Sequence, residues 1–381
     1  MKIAHIIQCL GVKSGGPSRS VYNIVKGLRD NNVDASILTT NVASNPNIGS
    51  DEWIECIDKK EPGMFEYTKG FDRLIRHSVA DIYHIQAIFS HASIIAPSII
   101  RKMRKPYIIS PRGSLYANAL SQSRLKKKLF MKLMLRHDLT RAAALQATCI
   151  EELYEIRNLG IKTPIAVISN SLNIPQDLPE VQLKNGKFRL GYVGRINHIK
   201  NIDGLMRAWH LAGFAEDDSA EFVIIGGANL DYEITYLKAL HKLETDLGIT
   251  NIVWAGMKQG IEKDALLRTC TVAVLPSHSE NFGMVVPEAL IQGVPVIASD
   301  KTPWKILDDT HCGWSTPNSP EFMAKKIQLA HSKSASELQQ MGFNGQRMVI
   351  DNFSTEKVTE KLILLYKWVL GECEKPDFVY Q

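Results

Sequence analysis

Short apolar runs alternate with segments of helical spacing along almost the whole chain, and this alternation restricts the fold more than any other feature. The first runs are KIAHIIQC from Lys2, DASILTT from Asp34, DIYHIQ from Asp81, PYIIS from Pro106 and IAVIS from Ile165. The later ones are FRLGYVG from Phe188, EFVIIGG from Glu221, NIVWAG from Asn251, VAVLP from Val272 and VPVIAS from Val294. Runs so apolar suit parallel strands buried on both faces. Between them, Ile202, Leu205, Met206 and Trp209 share one helical face at i, i+3, i+4 and i+7. Strands separated by helices mean βαβ units and parallel sheets, hence an α/β fold. One twisted sheet rarely holds about ten strands or more. The reading is therefore two doubly wound, Rossmann-like domains, 1–178 and 179–354, with the polar, proline-bearing stretch 170–187 as linker. Ligands of such sheets bind beyond the carboxyl ends of the strands, so two such edges facing each other predict a cleft.

Size agrees, since 381 residues suit about two to three domains. Six cysteines are scattered with no C-x-x-C pair, which excludes a zinc ribbon or a disulfide framework and predicts free thiols in a reducing compartment. The N-terminus lacks the apolar core and cleavage site of a signal peptide, and Ile3 to Cys9 reads as a first strand. No run approaches the roughly 18 apolar residues that span a bilayer. A cytoplasmic protein is expected.

Two glutamates stand eight apart in SHSENFGMVVPEALIQGVPVIASD, Glu280 and Glu288. Pro287 suits a first helical turn and Gly293 a helix stop, so a helix is expected from about Pro287 to Gly293. Glu280 then lies in a strand-to-helix loop and Glu288 in the first turn, both at the carboxyl end of a strand. Carboxylates accept hydrogen bonds from paired hydroxyls, so polyols are natural ligands. An acid that merely complements the helix dipole explains Glu288 equally well. In GYVGRINHIKNIDGL, Arg195 follows a strand and Lys200 precedes a helix, a natural diphosphate clamp or two solvated surface cations. In GVKSGGPSRS, Gly15 and Gly16 precede a helix, where backbone N–H groups reach a phosphate or simply form a tight turn. Neither a P-loop nor G-x-G-x-x-G is present.

Together, G-R-x-x-x-x-K and then E-N-F-G-x-x-x-x-E resemble the retaining glycosyltransferases called GT4, of GT-B fold, over nearly the whole chain. The resemblance implies an N-terminal acceptor domain, a C-terminal nucleotide-sugar domain, and a final segment, 355–381, whose helix returns to the first domain. It implies that Arg195 and Lys200 bind the donor diphosphate, that Glu280 faces the hydroxyls of the transferred sugar, and that Glu288 faces the ribose. Asn281, Phe282, Gly283 and Met284 would border sugar and phosphate, with Met257 and Lys258 near the base and Gly15 and Gly16 closing from the other domain. Where some members carry a histidine, this chain has Arg112, in PRGSL; His84, in DIYHIQ, is a second catalytic candidate or a hydrogen-bonded structural histidine. Where the family has N-G-V-D, residues 170–173 read NSLN. The implied reaction is retaining transfer of a hexose from a UDP- or GDP-sugar, with no metal and no other cofactor.

The net charge of +5 conceals a patch, because residues 101–141 hold 12 Lys/Arg and one acid. SRLKKKLFMKLMLRH, residues 123–137, places Leu125, Leu129 and Leu133 on one face with lysines mostly opposite. It reads as an interfacial helix on anionic lipid at the inner face of the cell membrane or as a helix packed on its own domain. Sparse aromatics argue against nucleic acid. The expected activity is assembly of a surface polysaccharide, such as O-antigen or capsule, or of a lipid-linked glycan. An inverting transferase, a sugar-nucleotide epimerase and a silent sugar-nucleotide-binding subunit are the alternatives.

Overall fold

The structure, a computed structural model, describes residues 1–11, 16–40, 51–57, 67–116, 135–183 and 186–381. The chain divides into two compact units, Met1–Asn173 with Ser354–Gln381, and Ile174–Phe353. The division falls at 173/174, ahead of the expected 178/179, and the chain is tied to the second unit a few residues further on. Gln346 donates to the Pro179 carbonyl at 2.7 Å and Gln339 to that of Val181 at 2.9 Å. At the other crossing, Ser354 caps the next helix by accepting from Lys357 N at 3.3 Å, and so belongs to the first unit.

The first unit carries β1 (Lys2–Ile7), β2 (Asp34–Thr39), β3 (Ile54–Cys56), β4 (Ile82–Gln86), β5 (Tyr107–Ser110), β6 (Ala144–Ala147) and β7 (Ile165–Val167). The second carries β8 (Phe188–Val193), β9 (Ala220–Ile225), β10 (Ile252–Gly256), β11 (Val272–Leu275), β12 (Val296–Ser299) and β13 (Gly313–Thr316). The chain then returns to the first unit as the helix Thr355–Val369 and β14 (Val379–Tyr380). The first sheet runs β14-β7-β6-β5-β4-β1-β2-β3, parallel except for β14, and the second runs β10-β9-β8-β11-β12-β13, parallel throughout. All ten expected strands are present. The sequence reading missed β3, β6, β13 and β14, which are two to four residues long and carry little apolar signal.

Helices cover both faces of the first sheet. Ile3, Ile7, Ile82 and Ile108 meet Val21 and Val25 of the helix Gly16–Asp30 and Leu362 and Leu365 of the final helix. On the opposite face, Ile6, Ile85, Ile109 and Leu145 meet Phe71, Ile99 and Leu153. In the second unit the helix Ile202–Leu211 buries Ile202, Leu205, Met206 and Trp209, the stripe the spacing predicts. No described helix is long and apolar enough to cross a membrane. The amphipathic segment expected at 123–137 falls, up to residue 134, outside the described residues. Beyond it, Arg136 donates to the carbonyls of Leu159 and Gly160 at 2.7 and 3.2 Å, and Arg101 pairs with Asp138 at 2.6 Å. These two cations of the basic segment serve the fold.

The final helix seats closely on Gly16–Asp30. A Cβ at Gly27 would lie 2.6 Å from Thr355 Cγ2 and 2.9 Å from Thr359 Cγ2. Gly27→Val is expected to destabilise the first unit by about 1–3 kcal/mol through overpacking, read as a lower denaturation midpoint.

Candidate functional site

Chain connection reverses direction at β8, whose neighbours are β9 on one side and β11 on the other. Crevices outside the carboxyl ends of strands at such a point are the natural ligand sites of doubly wound sheets. The pairing of Leu190 with Val272 and Tyr192 with Val274 sets the loop after β8 beside the loop after β11. The first loop holds Arg195 and Lys200, and the second holds Glu280 to Met284.

Backbone ties fix the two loops to each other. His278 N donates to the Ile199 carbonyl at 2.8 Å. Asn201, left-handed at φ 53°, donates from Nδ2 to the carbonyls of Pro276 and Asn318 at 3.2 and 3.0 Å. Lys200 ends the 3-10 turn His198–Lys200, and its ammonium pairs directly with the Glu280 carboxylate. Ser277 Oγ donates to the same Glu280 oxygen at 2.9 Å. Both partners are largely buried, at 18% and 14% side-chain exposure, so the contact is stronger than a surface ion pair. Burial, and next the Glu280 charge, push the Tyr192 phenol well above its ordinary range; it stays a donor, to the Arg195 carbonyl at 2.9 Å.

Arg195 itself is mostly exposed, with Nη1 3.9 Å from Glu233. Glu233 is buried and accepts from the backbone N–H groups of Asn229 and Leu230 at 2.9 and 3.2 Å, at the start of the helix Asp231–Asp246. Met257 and Lys258 follow β10; Met257 is half-exposed, and Lys258 pairs with Glu262 at 3.5 Å. All of these groups stand at the carboxyl ends of the second sheet.

The helix after Glu280 spans Val285–Ile291, starting two residues before the expected Pro287. Glu288 is in its first turn and pairs with Lys263 at 2.7 Å. Lys263 was missed by the sequence reading. It lies on the buried face of the helix Gly260–Arg268 beside Leu267, and a cation on an apolar stripe is the signal that calls for a carboxylate partner. The E-N-F-G bend, which also holds Asn281, rests on aromatic rings equally unforeseen. Phe282 packs 5.1 Å from Trp304 and 5.4 Å from Phe353, and the Trp304 indole donates to the Phe282 carbonyl. Gly283 follows at φ +79°, where a Cβ would lie 2.7 Å from Leu275 Cδ2, so only glycine fits. Met284 then stands at the N-terminal boundary of the helix, with no side-chain capping bond.

In the first unit, Gly15 lies outside the described residues and Gly16 opens the helix Gly16–Asp30. His84 takes the structural alternative. It is fully buried, with Nδ1 2.8 Å from Tyr366 Oη and Nε2 2.7 Å from Ser110 Oγ, which leaves no ring nitrogen for a substrate. Arg112 donates from Nε to Gln86 at 2.8 Å and from Nη1 to Asn170 at 2.7 Å. Among the described residues, no group of three or more His, Cys, Asp or Glu is placed to hold a metal ion.

Two outcomes follow from these charges. Lys263→Met leaves the largely buried Glu288 carboxylate without its cation and is expected to cost about 3 kcal/mol in denaturant unfolding. Burial, and next the Arg112 charge, lower the His5 pKa from 6.5 to about 3. Between these values the unfolded chain binds the proton and the folded chain does not, so stability falls as pH falls below 6.5. The slope is about 1.4 kcal/mol per pH unit for this one group, or about 2 kcal/mol by pH 5. Denaturant midpoints at neutral and mildly acidic pH should show it, and His5→Gln should remove this share of the slope and leave that of His84, whose pKa burial also lowers.

Residues 14–174 match the family model Glycosyltransferase Family 4, and residues 173–348 match Glycosyl transferases group 1. CapM, a capsular polysaccharide biosynthesis glycosyltransferase of Staphylococcus aureus, is 28% identical over 51% of this chain and 49% of its own length. The chain spans about half the length of the curated relatives it matches. Sucrose-phosphate synthase from Thermosynechococcus elongatus shares the fold at a TM-score of 0.74, with 17% identity over 98% of this chain and 100% of that one. HepE of Anabaena, solved with UDP and glucose, does so at 0.69, with 18% identity over 97% of this chain and 100% of that one. The two family models abut where the chain passes from one doubly wound unit to the other, and this protein belongs to the GT4-type glycosyltransferases of GT-B fold.

Proposed function

We propose that the protein transfers a hexose, with retention of configuration, from a UDP- or GDP-sugar to a hydroxyl of a surface-polysaccharide or lipid-linked glycan precursor. The observation that carries this reading is the contact of Lys200 with Glu280 where the strand order reverses. A cation and an acid held together there suit the two ends of the bond to be broken. Lys200 turns to the diphosphate, and Glu280, released, accepts from the sugar hydroxyls. Arg195, held only at 3.9 Å by Glu233, is free to join the phosphates. Glu288 uses one oxygen, Oε2, on Lys263, and the other suits the ribose hydroxyls.

In this reading the C1–O bond to the diphosphate breaks and its electron pair goes to the diphosphate oxygen. The acceptor oxygen bonds to C1 and its proton passes to that phosphate oxygen. Negative charge grows beside Lys200 and Arg195, the type of preorganised stabilisation that contributes most in such sites. The two cations take the part a divalent ion would otherwise play, so the reaction is metal-independent. HepE was solved with UDP-glucose and CapM is named for capsular polysaccharide biosynthesis, which supports a nucleotide-sugar donor and a glycan acceptor here. The lysine-rich pattern of 123–137 supports attachment to the inner, anionic face of a membrane.

A thermal-shift panel of UDP- and GDP-sugars, followed by transfer assays on the donor that stabilises, tests the proposal. Lys200→Ala and Glu280→Ala are each expected to lower kcat by about 100- to 1,000-fold, and EDTA to leave it unchanged. NMR of the product should show the donor's anomeric configuration. Inversion overturns the retaining mechanism, loss of activity in EDTA overturns metal independence, and donor binding without transfer overturns the enzyme reading.

A further inference from the structure

Arg112 is an unusual cation. It sits just past the carboxyl end of β5, left-handed at φ 52°, beside Ala87, which follows β4 at φ 66°. Non-glycine residues avoid this region, and where they are held in it, in adjacent strand-end loops, the strain marks a functional edge. Among the described residues, Arg112 makes no ion pair. Its Nε and Nη1 donate to neutral oxygens of Gln86 and Asn170, and at 3.4 Å to Ser20. Its Nη2 is buried and has no hydrogen-bond partner among the described residues. The nearby acid, Glu152, accepts from Gly113 N on Oε1, and from Thr148 N and Oγ1 on Oε2 at 2.7 and 2.9 Å. The guanidinium thus has no carboxylate in direct contact, only the longer-range charge of Glu152, and one unused N–H, which together suit an anionic oxygen.

The guanidinium is aimed by a hydrogen-bond chain whose direction is fixed from both ends. Arg112 Nε can only donate, so Gln86 presents Oε1 to it and Nε2, at 3.1 Å, to His5 Nδ1. His5 therefore carries its proton on Nε2 and donates to Tyr366 Oη at 3.1 Å. Tyr366 in turn donates to His84 Nδ1 at 2.8 Å, and His84 Nε2 donates to Ser110 at 2.7 Å. From the far end, the Ile168 carbonyl can only accept, so Gln146 gives it Nε2 at 2.9 Å and takes Ser110 Oγ–H on Oε1 at 2.6 Å. The two ends demand the same polarity, so each imidazole has one permitted tautomer. Tyr366 belongs to the final helix, so this helix takes part in holding Arg112.

We propose that Arg112 binds an oxyanion, a phosphate or carboxylate oxygen, through Nη2, and that Tyr366, His5 and Gln86 are its positioning residues. This deepens the proposed function, since an anionic group on the glycosyl acceptor would be the ligand, yet its test does not depend on transfer.

The full chain, with Lys200→Ala removing a phosphate contact of the second unit, is titrated with inorganic phosphate and separately with sodium acetate at constant ionic strength. Thermal stabilisation is the readout. Stabilisation by phosphate alone assigns a phosphate ester, by acetate alone a carboxylate, and by both an oxyanion of either kind. Arg112→Gln should weaken binding about tenfold. Gln86→Glu should do the same with Arg112 still present, by supplying the carboxylate the guanidinium lacks. Tyr366→Phe should weaken it about threefold and, by NMR, shift the His5 Nε2–H resonance upfield, because the proton loses its acceptor while Gln86 still keeps it on Nε2. Stabilisation by neither anion, or unchanged binding in both Arg112→Gln and Gln86→Glu, overturns the oxyanion site. Unchanged binding and an unchanged His5 Nε2–H resonance in Tyr366→Phe overturn the positioning role. Sugar transfer without Arg112-dependent anion binding defeats this inference alone, and anion binding without transfer defeats only the functional reading.

Discussion

An ammonium and a carboxylate brought largely out of water cost desolvation on both sides, and they persist only where the surrounding chain holds them in good geometry. The Lys200–Glu280 pair sets that requirement for the second unit. Much of the unit's local structure answers it: the strand reversal at β8, the cross-ties from Asn201 and His278, and the Ser277 hydroxyl on the same carboxylate. The rings of Phe282, Trp304 and Phe353 support the bend from below. Glu288, eight residues on and in the first turn of the next helix, repeats the arrangement with Lys263 as its counter-charge. The two motif acids are thus each held by a cation.

The sequence disclosed the parts of this design that have a period or a motif. Ten strands, all but the edge strand β10 largely buried, announced themselves because their apolar runs are long, and the helix Ile202–Leu211 because its buried stripe repeats every three to four residues. β6 reads ALQA and β13 reads GWST, too short and too polar for such a signal, although both lie within their sheets or at an edge. The motif residues could be placed at strand ends, but the tie between Lys200 and Glu280 comes from loop hydrogen bonds that no spacing encodes. Trp304 and Phe353 are remote in sequence from the bend they support. For His84 the sequence left two roles open, and the choice depended on Tyr366, 282 positions later.

The two units solve the problem of buried polarity differently. The second sheet's edge neutralises charge with charge. The first sheet places neutral donors and acceptors in a single-file chain through its apolar core, where His5 and His84 stay uncharged because burial lowers both pKa values. Such a network satisfies every member only in one arrangement, so it specifies a unique packing of the final helix on the sheet.

Leu172 and Ser354 form a parallel bridge, and Thr355 N donates to the Leu172 carbonyl at 3.0 Å. The chain therefore departs from the first unit and re-enters it through one doorway. Everything from Ile174 to Phe353 is a cassette whose two ends meet at that threshold. Exchanging that cassette would cut the chain at two points that lie side by side, 173/174 and 353/354, so both splices would fall at one place on the first unit.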